Sequence, residues 1–548
     1  MINFLAIFEN TFYQKIFETL NQALIRKRFF SLLMIATVLI SCRDKEVSPQ
    51  SISEKQKPNI IYILADDLGY ADIGAYGQMK IETPNIDALA KSGMLFTQHY
   101  TSAPVCAPAR FMLLTGKHAG HAYIRSNSEW KERGDVWNYR AMAKDSTLEG
   151  QGPMPESTVT MADHFKKVGY ATGIIGKWGL GAPHTQSIPN EMGFDFFYGY
   201  NCQRQAHTYY PLHLYKNRNR VLLQNDTIAP NTPFPEGADP KDPKSYANFS
   251  LTDYAPDLMF KELTNFVYAN KEQPFFLYWA TPIPHVALQA PQRWVDYYKN
   301  KFGEEEPYLS GGNNGYFSHM NPHAAYAAMI SYLDENIGKL VQQLKDEGIY
   351  ENTLIVFTSD NGPSYAGGAD PVYFESAKPF DGDYGRGKGF LYEGGIRVPM
   401  IASWPNKIMS GSKSEHISVH YDMMATFADI SGFEVPKDTD GISLSPTLFS
   451  QNGQKEHEFL YWEFPSYGGQ VALRMGDWKV LRQNLLNEET PTLELYNLRE
   501  DPTEKQNLAA LHPEILQKAA DIFNNERKEP ELEDFKIPLI DNGLLVEE

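Results

Sequence analysis

The spacing of apolar residues changes period several times along the chain, and each change marks an element. Residues 59–65 (Asn-Ile-Ile-Tyr-Ile-Leu-Ala) run apolar without alternation and stop at Asp66-Asp67. An unbroken run of this kind predicts a strand buried on both faces, as in a parallel sheet. Shorter runs at 171–175, 275–280, 354–358 and 398–402 predict further strands. Helices are predicted at 83–92, 108–115, 161–168 and 324–347, the first stopped by Gly93. Strands alternating with helices predict an α/β domain, a large and mostly parallel sheet flanked by helices. Residues 217–254, rich in Pro, Asn and Asp, and 303–322, rich in Gly and Asn, are expected to be surface loops. The texture changes at 449–456. Beyond it, 459–464, 470–475 and 478–482 predict short antiparallel strands and 513–525 a closing helix. The expected division is a main domain over 58–448 and a smaller α+β subdomain with a short antiparallel sheet over 449–548. No internal repeat is visible.

The N-terminal pattern is an address. Arg26-Lys27-Arg28 precedes an apolar stretch over 29–40, too short to span a bilayer comfortably, which ends in Leu39-Ile40-Ser41-Cys42. That ending resembles a bacterial lipobox. It implies a signal peptide over 1–41, lipidation at Cys42 and a polar tether over 42–57. The expected location is the bacterial cell envelope, periplasmic or as an outer-membrane or surface lipoprotein, with the membrane touched through the lipid anchor alone.

Composition narrows the partners. The 548 residues are 42% hydrophobic and 22% charged, enough for a sizeable core. A formal net charge of −18 argues against nucleic acid as a partner, so an anionic substrate would have to be held by a local cluster of cations. The three cysteines, Cys42, Cys106 and Cys202, form no disulfide framework.

Chemistry concentrates where strands end. In open α/β sheets, ligands bind beyond the carboxyl ends of strands. One such end is Asp66-Asp67 and another is Asp360-Asn361, together an all-oxygen set suited to Ca²⁺, with Mg²⁺ as an alternative. Cys106 stands just ahead of a helix expected to start at Pro108, where an anion is favoured, and Arg110 lies about one turn in.

The stretch Cys106-Ala107-Pro108-Ala109-Arg110, followed by Leu114-Thr115-Gly116-Lys117, resembles the signature of the type I sulfatases of the alkaline phosphatase superfamily. The resemblance extends through NIIYILADDLGY, TPNIDALAKSG, the GKW segment, SDNG and GRGKGFLYEGGIRVP. It implies a sulfuric ester hydrolase in which a maturation enzyme converts Cys106 to formylglycine. The hydrated aldehyde attacks sulfur beside a divalent cation held by Asp66, Asp67, Asp360, Asn361 and residue 106. By resemblance, Lys177 and Lys388 bind the sulfate oxygens, His285 protonates the leaving alcohol, and Arg110 and His118 position the hydrate. The expected substrate is a sulfated saccharide. His207 and Arg204 are placed at the pocket mouth, with Trp462, Glu463 and Arg474, besides Tyr209, Tyr210 and Gln470, as candidate sugar contacts.

One position departs from the pattern. Many family members carry a histidine in the segment that here reads Gly176-Lys177-Trp178-Gly179-Leu180-Gly181. That leaves the base of the second step to be found among His118, His184 and His207. Two rival functions remain open at this level: a phosphonate or phosphate monoester hydrolase of the same superfamily, and an inactive lipoprotein that binds sulfated glycans.

Overall fold

A computed structural model describes residues 57–311, 315–487 and 491–541. The expected signal peptide, Cys42 and nearly all of the expected tether lie outside these residues.

The main sheet has ten strands: β1 (Asn59–Ala65), β2 (Met94–Phe96), β3 (Ala171–Lys177), β4 (Phe196–Tyr200), β5 (His213–Lys216), β6 (Asn219–Leu222), β7 (Phe275–Ala280), β8 (Thr353–Ser359), β9 (Met400–Ser403) and β10 (Ser412–Ser414). Their spatial order is β10-β2-β9-β8-β1-β7-β3-β4-β5-β6. The five central strands, β8 through β4 in that order, pair in parallel, and the flanks turn antiparallel at β9 and at the β5–β6 hairpin. The hairpin lies partly within 217–254, which the sequence pattern presents as a loop. Its outer strand is short and largely exposed, so it carries no run of buried apolar residues.

Every residue of β1 is buried, which explains the absence of alternation. Ile60, Tyr62 and Leu64 face one layer, with helices α2 (Cys106–Thr115), α3 (Met161–Lys167) and α6 (Asp422–Ser431). Ile61, Ile63 and Ala65 face the other, with α1 (Pro84–Ser92), α4 (Ala255–Asn270) and the long α5 (Pro322–Asp346). This is a sheet covered by helices on both faces, as the alternation of elements predicts.

A separate antiparallel sheet follows: β11 (Leu460–Phe464), β12 (Gln470–Met475), β13 (Trp478–Gln483) and β14 (Thr492–Asn497), closed by α7 (Pro513–Glu526). Tyr461, Val471 and Leu473, with Phe523 of α7, join the same apolar cluster as α2. Among the described residues, no helix is long and apolar enough to cross a membrane.

Candidate active site

The carboxyl ends of β1 and β8 are neighbours, because Ala65 pairs with Ser359. That register sets Asp66-Asp67 beside Asp360-Asn361. The Asp67 N–H donates to Asp360 Oδ1 at 3.1 Å, and Asn361 Nδ2 donates to Asp67 Oδ1 at 2.8 Å. Asp67 has φ of 65°, a left-handed conformation that Asp tolerates better than most residues.

Helix α2 delivers Cys106 to this point. The helix starts two residues earlier than expected, so Cys106 is its first residue and Pro108 its third. Asn127 Oδ1 accepts from the Ala107 N–H at 3.0 Å and satisfies one of the free donors of the first turn. A proline there removes an N–H that has no partner within the helix. The Cys106 thiol donates to Asp66 Oδ1 at 3.2 Å and is 1% exposed. Burial, and then the charge of Asp66, push this thiol far above its ordinary range. It is therefore a protonated thiol and a poor nucleophile as it stands.

Three cations, Lys177 and Arg110 buried and Lys388 half-buried, oppose three buried carboxylates. Lys177, at the end of β3, donates to Asp66 Oδ2 at 2.7 Å. Lys388 donates to Asp67 Oδ2 at 2.8 Å. Arg110 donates to Asp360 Oδ2 through Nε at 3.0 Å and Nη2 at 2.9 Å, and to Lys177 O at 2.9 Å. Burial pushes Asp66 upward, but Lys177, His285, Arg110 and Lys388 together hold it well below the usual carboxylate range. Asp360 goes the other way: burial and the neighbouring Asp66 raise it to about 7. His285 Nδ1 donates to Val286 O and its Nε2 lies 3.6 Å from Asp67 Oδ2. Burial and then Lys388 hold His285 well below its ordinary value. Tyr209 braces this loop from beneath, its hydroxyl bonded to Pro282 O and His285 O.

Ligand-type atoms of Asp66, Asp67, Cys106 and His285 come within 4.8 Å of one another. The oxygen donors suit a hard divalent cation and the imidazole does not. Asn361 supports the fit independently. Its Oδ1 is buried and no donor reaches it among the described residues, although its Nδ2 is fully used. An acceptor left bare beside three carboxylates is what an all-oxygen cation site supplies. Asp66, Asp67, Asp360 and Asn361 therefore fit a Ca²⁺- or Mg²⁺-type ion.

The structure brings Asp66, Asp67, Cys106, Arg110, Lys177, His285, Asp360, Asn361 and Lys388 together, with His207 stacked on His285. Other expected residues fall elsewhere. His118 follows the far end of α2, about 15 Å from Cys106 by the rise per residue, and cannot position that residue. Its Nδ1 accepts from the Gly120 N–H instead. His184 is exposed and bonded to Ser146.

Trp462, Glu463 and Arg474 are internal rather than sugar-facing. Trp462 Nε1 donates to Thr101 O at 2.8 Å. Glu463 accepts from Arg125 and Arg527. Arg474 donates to Gly476 O, Gln98 and the Tyr100 hydroxyl. Gln470 is also structural, tying Gly389 O and the Leu391 N–H on the loop that carries Lys388. Arg204 lies over the Trp137 ring at 4.9 Å and donates to Val136 O.

Sequence reasoning missed Tyr316. Its ring lies edge-on to His207 at 5.4 Å and to His285 at 6.0 Å. It sits in the loop 303–322, where no motif marks it, and only the topology brings it to the site.

Comparison with known proteins agrees along most of the chain. The family model described as Sulfatase matches residues 58–433, and the model described as N-sulphoglucosamine sulphohydrolase, C-terminal, matches 382–526. An N-acetylgalactosamine-6-O-sulfatase of Bacteroides thetaiotaomicron is 28% identical, over 91% of this chain and 98% of its own. Human arylsulfatase A is 30% identical, over 84% and 86%. Among solved structures, Ps i-CgsB in complex with k-i-k-neocarrahexaose superposes with a TM-score of 0.68 at 28% identity, over 89% of this chain and 98% of that one.

Proposed function

The chain belongs to the sulfatase family and is a sulfuric ester hydrolase, and from that premise we propose that it removes sulfate from a sulfated glycan using an aldehyde made from Cys106. The observation that carries this reading is the setting of Cys106. A buried, protonated thiol begins a ten-residue helix, hydrogen-bonded to a carboxylate and ringed by Lys177, Lys388, Arg110 and His285. A thiol held protonated does little here, whereas a formylglycine hydrate places two hydroxyls on one carbon.

Asp66, Asp67, Asp360 and Asn361, with residue 106, would hold Ca²⁺, or Mg²⁺ in its place. When bound, the ion lowers the pKa of an attached hydroxyl and neutralises charge nearby. The chain's own residues do the rest. Arg110, Lys177 and Lys388 offset Asp360, Asp66 and Asp67 charge for charge. With those carboxylates engaged by a divalent ion, Lys177 and Lys388 would be the cations left to meet the sulfuryl oxygens. His285 gives its proton to the leaving sugar oxygen. The helix N-terminus favours the anion.

The glycan assignment is supported by the relatives, one named an N-acetylgalactosamine-6-O-sulfatase and one solved in complex with k-i-k-neocarrahexaose. A maturation enzyme is required by the chemistry of residue 106. Lipid anchoring at Cys42 and an envelope location are supported by Leu39-Ile40-Ser41-Cys42. Incorporation of labelled palmitate, lost in Cys42→Ala, tests the anchor.

Cys106→Ala tests the activity. Hydrolysis of an aryl sulfate and of a 6-sulfated hexosamine is expected to vanish while the melting temperature stays within a few degrees. Retained turnover overturns the reading. Faster cleavage of the matching aryl phosphate would favour a phosphate monoester hydrolase.

A further inference from the structure

The segment beside Gly179 is built around an empty side-chain position. Gly179 has φ of 68°, and a Cβ placed there would lie 2.8 Å from Gln203 Oε1. A side chain at 179 would be strained by the left-handed backbone and would have to displace the end of Gln203, which fills that space. The Gly179 N–H donates to Asn201 O at 3.2 Å, which ties the short 3₁₀ helix Gln203–His207 to the exit of β3, next to Lys177. Gln203 Oε1 is buried, and no donor reaches it among the described residues.

Four residues on, the His207 ring lies face to face with His285, with centroids 4.9 Å apart and planes 11° from parallel. Tyr316 closes the edge of both rings. Neither nitrogen of the half-buried His207 has a hydrogen-bond partner among the described residues. Asp67 lies 3.6 Å from His285 Nε2, and among the described residues no carboxylate forms an ion pair with His207. His285 thus has Nδ1 committed to Val286 O and Nε2 turned to Asp67, whereas His207, stacked on it, keeps an unused lone pair in the same pocket.

We propose that His207 is the proton acceptor of the second half-reaction, the expulsion of sulfate from residue 106. The proposal rests on the formylglycine reading. After sulfuryl transfer, the residue-106 carbon bears one free hydroxyl and one sulfated oxygen. A His207 nitrogen takes the hydroxyl proton. That oxygen's electron pair closes the C=O bond, the C–O bond to the sulfated oxygen breaks, and sulfate leaves with the pair. The aldehyde returns and the proton rests on His207, from which solvent removes it. His285, having delivered its own proton to the alcohol, need not serve twice.

The test uses the full-length enzyme, with its residue-106 aldehyde content measured by mass spectrometry. In His207→Ala, rapid mixing with an aryl sulfate should release a burst of one equivalent of alcohol per aldehyde-bearing chain. Steady turnover should then be slower by about 10²–10⁴-fold. The peptide containing residue 106 should retain a sulfo group. His207→Gln, which keeps much of the bulk but cannot take the proton, should behave alike, and added imidazole should restore turnover in His207→Ala. His285→Ala should show neither burst nor retained sulfo group. A His207→Ala enzyme that keeps its aldehyde yet turns over normally, or slows without retaining sulfate, overturns the proposal. A wild-type chain without the aldehyde overturns the formylglycine reading itself and the proposal with it.

Discussion

Helix α2 has a cluster of ionisable side chains at each end, and the two clusters behave differently. At its start, Asp66, Asp67, Cys106 and His285 converge; beyond its end, His118, His121 and Asp440 converge just as closely, within 4.8 Å. Residue types alone would make either a metal site. The lone pairs separate them. The Gly120 N–H donates to His118 Nδ1 at 3.0 Å, so the proton of the neutral ring sits on Nε2, which faces Asp440 at 3.8 Å and Glu526 at 3.9 Å. His121 donates through Nδ1 to the same carboxylate at 2.9 Å. Both rings present donors to Asp440, and no pair of imidazole lone pairs converges. At the other end, Asn361 keeps an acceptor that nothing among the described residues satisfies. The first cluster has an acceptor to spare, and the second satisfies its own donors and acceptors. Glu526 belongs to α7, so the completed cluster joins the C-terminal helix to the main domain.

Metal analysis offers the harshest way to break this contrast. One divalent ion per chain is expected, lost in Asp67→Ala/Asn361→Ala and kept in His121→Ala. Loss of the ion should lower turnover by on the order of 10³-fold or more, several kcal/mol of transition-state stabilisation. An ion lost in His121→Ala would show that the lone-pair argument fails. Next in size, Lys177→Met should lower kcat/KM by about 10²–10³-fold, because one buried cation no longer meets the sulfuryl oxygens. The comparable substitution Lys117→Met, at the far end of the helix, should leave kcat/KM unchanged.

Stability against pH sharpens the other half. Burial is the main cause that lowers His118 to about 4, against 6.5 for a free imidazole. The unfolded chain therefore takes the proton first as pH falls. The contribution is fully present above pH 6.5 and is lost as pH drops toward 4, by at most about 3 kcal/mol. Chemical denaturation across that range should show the slope, and His118→Gln should flatten it. A smaller effect is expected of Asp440→Ala, about 1–3 kcal/mol of stability from the lost acceptor, with kcat of the folded enzyme unchanged.

The central strands were legible because strands buried on both faces show no alternation, and their acidic ends announce the ion site. The helix at Cys106 was legible too, apart from its first turn, which depends on Asn127 reaching across from a later loop. Other features depend on tertiary placement. His118 follows Cys106 closely in sequence, yet a straight helix holds them apart. Trp462, Glu463 and Arg474 have the composition of sugar contacts, but the way β11 and β12 pack turns them toward Thr101, Arg125 and Tyr100. The pairing of His207 with His285 joins segments distant in sequence, and no local signal announces it.

The C-terminal sheet also sets a clock. Trp462 holds the backbone just before Cys106, and Gln470 holds the loop that carries Lys388, so the strands that seal the site are among the last to be made. Any enzyme that oxidises Cys106 must reach a side chain that is 1% exposed once the fold is complete. The ribosome adds about 5–20 residues per second, so the roughly 360 residues between Cys106 and Gln470 leave a window on the order of 20–70 s. If residue 106 becomes the aldehyde as proposed, its oxidation and folding are competing rates. A substitution that speeds docking of the last strands would lower the fraction of chains bearing the aldehyde, and with it the specific activity, while each converted molecule works at full rate.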